Sequence, residues 1–116
     1  MSESNSRLSE LLAQAASEKK ARDILILDVN GISMVADFFI ICSANSTTQV
    51  KAIADNIEDK LAEQGIKLLH KEGYREGRWI LLDYGSCVMH VFVEEDRIFY
   101  NLERLWGDAP VRTWED

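Results

Sequence analysis

Proline is almost missing from this chain: Pro110 is the only one, so nothing before it forces a helix to break or a strand to leave a sheet. Cysteine is nearly as rare. Cys42 and Cys87 are too few for a disulfide scaffold, show no C-x-x-C spacing, and lie inside apolar runs, which suits reduced core residues of a cytoplasmic protein. The two histidines, His70 and His90, have no cysteine or second histidine at zinc spacing, so no metal site is expected. No apolar run exceeds Phe38–Cys42, far short of a bilayer span. The opening Met1-Ser2-Glu3-Ser4 lacks a basic segment followed by an apolar one, and no secretory signal is expected.

Positive charge is also in short supply. Thirteen Lys and Arg face twenty Asp and Glu, a net charge of −7. The nearest approach to a basic stripe, Lys67, Lys71, Arg75 and Arg78, is diluted by Glu72 and Glu76. Little direct nucleic-acid binding is therefore expected, and an acidic domain is better matched to a basic protein partner. There is no glycine-rich phosphate loop and no D-x-D pair. Asp28, Asp37 and Asp83 sit near strand ends, where acids commonly close turns. No catalytic residue and no cofactor is assigned.

What remains is one globular domain spanning 1–116, with its core over 5–107 and an extended tail over 108–116. Leu8, Leu11, Leu12, Ala15 and Ala16 are spaced as a helix over Ser4 to Lys20, capped by Ser4, Asn5 or Ser6. Ile24–Val29 and Asp37–Ser43 read as two antiparallel strands. Ser46 and Gln49 form a capping box before a helix whose buried face is Val50, Ile53, Ala54, Ile57 and Leu61, stopped by Gly65. Ile66–His70 reads as a strand parallel to the second. Acids at Glu94-Glu95-Asp96 precede a last helix with Ile98, Phe99, Leu102, Leu105 and Trp106 along its apolar side. Tyr100 and Asn101 fall off that side, as an exposed aromatic anchor and its polar neighbour would. The order αββαβββα predicts an α+β fold: a mixed five-stranded sheet with helices mainly on one face and the other face open.

The most informative stretch is Trp79–Val93. Gly85-Ser86 between two strand-like runs suits a two-residue II′ hairpin, since glycine supplies the positive φ of its first position. That turn sets Tyr84 opposite Cys87, Leu82 opposite Met89 and Ile80 opposite Val91, all fit for a core. On the other side Asp83 meets Val88, Leu81 meets His90, and Trp79 meets Phe92. Large apolar groups mixed with a carboxylate and an imidazole suit a face covered by a partner. The hairpin thus nominates Leu81, Asp83, Val88, His90 and Phe92 beside Trp79. Two other uses stay open: a homodimer seam on the same face, or a magnesium-dependent nucleotidyl or phosphoryl transferase using Asp37 and Asp83.

Asp28-Val29-Asn30-Gly31, Ala36-Asp37-Phe38-Phe39-Ile40-Ile41, Asn45-Ser46-Thr47-Thr48-Gln49-Val50, the segment from Glu76 through Trp79 to Gly85, His90-Val91-Phe92 and the segment from Phe99 through Asn101 to Gly107 closely resemble the ribosomal silencing factor (Iojap-like) family. The resemblance covers nearly all of Leu8 to Pro110. It implies a nucleotidyltransferase-like fold without the catalytic carboxylates, and a non-enzymatic translation repressor. Such a repressor binds the large ribosomal subunit through that subunit's ribosomal protein fourteen and blocks joining of the small subunit. It further implies contacts through Trp79, Tyr100 and Asn101, the tryptophan of the Arg-Trp-hydrophobic strand and the Tyr-Asn of the last helix.

Overall fold

The structure, a computed structural model, describes residues 2–34 and 36–115, with side chains from Asn5 onward. Helix α1 (Ser2–Ser17) leads into strands β1 (Arg22–Asp28) and β2 (Phe38–Ala44), then helix α2 (Thr47–Glu63). Three strands follow, β3 (His70–Glu72), β4 (Trp79–Asp83) and β5 (Cys87–Val93). The chain closes with α3 (Glu94–Tyr100), α4 (Leu102–Leu105) and β6 (Val111–Thr113). The sheet has six strands in the order β3-β4-β5-β2-β1-β6, all neighbours antiparallel except β2 and β5.

The expected five-stranded sheet thus gains a sixth strand. Val111–Thr113, expected as a free tail, pairs with Leu25–Leu27 on the far side of β1, where the edge carries unpaired backbone donors and acceptors. Asp116, the end of that tail, lies outside the described residues. A second shift concerns β3, which starts at His70 instead of Ile66. The segment before it runs past the turn at the end of the β4–β5 hairpin, where the Leu69 N–H still donates to the Asp83 carbonyl at 2.9 Å, while Ile66 and Leu68 pack on the core. The strand runs in the same direction as β2, as expected, but with β4 and β5 between them. Helix α1 also starts earlier than expected, which puts Asn5 and Ser6 inside the helix instead of at its cap; the Ser4 side chain lies outside those described.

Helix α2 follows its sequence closely. The Ser46 hydroxyl accepts from the Gln49 backbone N–H at 3.1 Å, satisfying one of the donors a helix start leaves free. Val50, Ile53, Ala54, Ile57 and Leu61 are all buried. With α1 they cover one sheet face over Ile26, Ile40, Cys42, Ile80, Leu82, Met89 and Val91. Burial pushes the thiols of Cys42 and Cys87 up to about 12, which leaves both protonated and unreactive at neutral pH.

The opposite face is not open. Leu27, Val29, Phe39, Ile41, Val88 and Phe92 form a second cluster closed by Ala36 and Ala109, with Leu102 and Trp106 laid against it. Trp106 meets Phe39 edge to face at 5.3 Å. The expectation of an uncovered face is corrected here: alternation gives the side a residue points to, but says nothing of what the later chain lays over it. All seven residues of β5 are buried as a result.

Candidate partner-binding face

Gly85 has φ +92, and the Tyr84 N–H donates to the Cys87 carbonyl at 2.9 Å. This turn locks the register Trp79–Phe92, Ile80–Val91, Leu81–His90, Leu82–Met89 and Asp83–Val88. Asp83 supports the turn itself, because its Oδ1 accepts from the Gly85 N–H at 2.8 Å. The pairs nominated from the sequence are therefore the pairs formed.

Their exposure divides them. Phe92 is wholly buried, His90 is 5% exposed and Val88 9%; these three form a floor under the chain's own C-terminal segment. Trp79, Leu81 and Asp83 are half-buried, and Asn101 is exposed. Tyr100 is 52% exposed. The structure brings Trp79 and Tyr100 together, with ring centroids 4.9 Å apart. On its other side Trp79 stacks on Phe92 at 4.8 Å. The indole N–H donates to His90 Nδ1 at 3.1 Å. That bond leaves the proton of the neutral imidazole on Nε2, which has no hydrogen-bond partner among the described residues. Burial lowers the His90 pKa to about 4, since a charged ring there would lose its water. Near neutral pH His90 is thus a neutral acceptor that orients an indole, not a base.

The last helix departs from expectation. It is two short helices broken at Asn101, whose φ of 47 is left-handed, a conformation asparagine tolerates better than most residues. The break turns the predicted apolar side: Leu102 and Trp106 pack inward, whereas Ile98, Phe99 and Leu105 are 72%, 79% and 73% exposed. With Tyr100 they make an exposed apolar ridge, joined to Trp79 through the Tyr100 ring.

Two arginines that the sequence did not single out hold α3 in place. Arg97 is buried, its Nε 3.0 Å from Glu103 and its Nη1 2.7 Å from the Asp23 carbonyl and 3.2 Å from the Ser43 hydroxyl. Arg78 grips Asp96 through two bonds of 3.1 and 2.6 Å. The three acids that open α3 were a visible signal for Arg78, although they also suit a helix start. For Arg97 the signal was weak, because Glu103 is its one nearby acceptor and the Asp23 carbonyl and Ser43 hydroxyl lie far back in the chain.

The carboxylates considered for magnesium are engaged within the chain. Asp37 accepts from Asn5 and, at 2.6 Å, from Asn30, and Asp28 accepts from the Asn30 N–H at 3.1 Å. Among the described residues no three His, Cys, Asp or Glu side chains are grouped to hold a metal ion, and no helix is long and apolar enough to cross a membrane.

Comparison with known proteins points one way. The family model described as ribosomal silencing factor during starvation matches residues 2–116. A protein of Bacillus subtilis named ribosomal silencing factor RsfS is 52% identical over 102 residues, covering 88% of this chain and 86% of its own. A solved structure from Bacillus halodurans superposes with a TM-score of 0.82 at 43% identity, over 97% of this chain and 100% of that one. Another, from Chromobacterium violaceum, gives 0.87 at 34% identity, over 89% and 86%.

Proposed function

This chain belongs to the ribosomal silencing factor family, and from that membership we propose that it represses translation by docking on the large ribosomal subunit. The contact is with ribosomal protein fourteen of that subunit, and the bound domain fills space the small subunit needs. Inhibition is stoichiometric, requires no nucleotide or metal, and takes place in the cytoplasm. The domain acts as a plug, not as an enzyme; whatever likeness to nucleotidyltransferases its fold carries, fold alone transfers no activity.

The observation that carries this reading is the half-exposed Trp79 held between Phe92 and Tyr100. An indole fixed on both sides offers a large contact area with little rotamer freedom left to lose, the character of an interface anchor. Tyr100 lies against it with Asn101 next in the chain, and Phe92 and His90 support it from beneath; Leu81 and Asp83 extend the same strand face, with Val88 opposite Asp83. The net charge of −7 favours a cationic ribosomal protein and disfavours bare RNA.

Co-sedimentation with purified large subunits tests the reading. Wild type should pellet near one per subunit, with or without a chelator, and Trp79→Ala and Tyr100→Ala should remain in the supernatant. Full retention of both variants would remove the proposed face. A chelator-sensitive nucleotide complex would revive the transferase alternative.

A further inference from the structure

Helix α3 has seven residues and no side-chain cap at its start, and a segment that short has little stability of its own. Its position is therefore set by what ties it to the sheet. Arg97 ties its far side to the Asp23 carbonyl and Ser43. On the near side Arg78 ties it to the sheet: its fork holds both Asp96 oxygens and reaches Glu95 at 3.5 Å. The Arg78 carbonyl also accepts from the Val93 N–H at 2.9 Å, where β5 passes into α3.

The placement of these two ends matters. Arg78 directly precedes Trp79, and Asp96 lies one helical turn before Tyr100, on the same side of the helix. One ion pair thus joins the residue beside one ring to the residue beneath the other. Trp79 is already fixed from below by Phe92 and His90, but Tyr100 reaches it only as far as α3 is held in place.

We propose that Arg78 is a positioning residue: through Asp96 it holds Tyr100 against Trp79 and so preassembles the face that meets the partner. This rests on the docking reading above. Arg78 itself need not touch the partner, since its charge is already answered within the chain. Its side chain is 49% exposed, so its share of global stability is small while its effect on local order is large.

The test uses the full chain labelled with fluorotryptophan, whose three tryptophans, Trp79, Trp106 and Trp114, give separate fluorine NMR signals. Arg78→Met and Asp96→Asn should each move or broaden the Trp79 signal and leave those of Trp106 and Trp114 in place. Arg78→Lys, which keeps the charge without the fork, should return it only in part. Large-subunit binding should weaken about three- to tenfold in Arg78→Met, the cost of ordering a loosened face on contact, with partial recovery in Arg78→Lys. A Trp79 signal unmoved in both Arg78→Met and Asp96→Asn overturns the proposal. A moved signal with undiminished binding, while Trp79→Ala fails to bind, overturns the role in docking alone. If Trp79→Ala and Tyr100→Ala both bind like wild type, the proposed docking face itself falls.

Discussion

The Trp79 indole donates to His90 Nδ1 across 3.1 Å, so a half-buried indole is oriented by a buried ring that must stay neutral to accept. Protonated His90 has no lone pair there. Its pKa is lowered by burial to about 4, against about 6.5 in the unfolded chain. As pH falls below that unfolded value, the unfolded chain binds a proton that the folded chain refuses. Stability therefore drops until the folded value is reached.

The expected outcome is a loss of about 2 kcal/mol between pH 7 and pH 5 from this group. His90→Gln, whose side-chain oxygen still accepts, should lack that component. Urea unfolding of both proteins at the two pH values checks it. Equal losses would show that His90 is not the source.

Trp79 and Tyr100 should separate stability from binding. Removing the Trp79 ring empties the stack on Phe92 and deprives His90 of its donor, at about 3 kcal/mol. Tyr100 is 52% exposed, and its loss should cost less than about 1 kcal/mol. Both should weaken large-subunit binding by at least about 2 kcal/mol. Thermal melts beside sedimentation distinguish the two effects, and Tyr100→Ala is the cleaner probe.

Arg97→Met should be among the most damaging single changes in the C-terminal half. It leaves Glu103 and the Asp23 carbonyl without a donor in a site where Arg97 is only 9% exposed. Breaking a buried pair from one side costs about 3–5 kcal/mol. Calorimetric unfolding reads this directly, and a change below about 1 kcal/mol would mean that α3 is held by other contacts.

Gly73 should tolerate no side chain. Its φ is +82, and a Cβ there would lie 2.0 Å from the Trp79 carbonyl oxygen. Gly73→Ala must move the start of β4, and with it the indole, at about 3 kcal/mol or more. Denaturant midpoints test this, and Gly31→Ala, at φ +84 but with nothing within 4 Å, is the control for left-handed strain alone.

The hairpin and α2 were legible in the sequence because local rules settle them. Gly85-Ser86 fixes every pair along β4 and β5, and the Ser46–Gln49 cap starts a helix whose buried stripe has one period. Long-range choices were not legible. Nothing near Val111 announces that β1 has a free edge to receive it. A left-handed Asn101 inside an apolar periodicity turns Phe99 outward and Trp106 inward. The candidate face was read correctly as pairs and incorrectly as open surface, since Val88, His90 and Phe92 lie under the chain that follows them.

On the proposed function, this domain occupies the ground on which two ribosomal subunits meet. Light scattering of purified large and small subunits, mixed after the large subunit has been incubated with the protein, measures it most directly. Joining should fall in proportion to added protein and be abolished near one copy per large subunit, with Tyr100→Ala restoring it. Subunits that join at full rate with the wild-type protein still bound would contradict it.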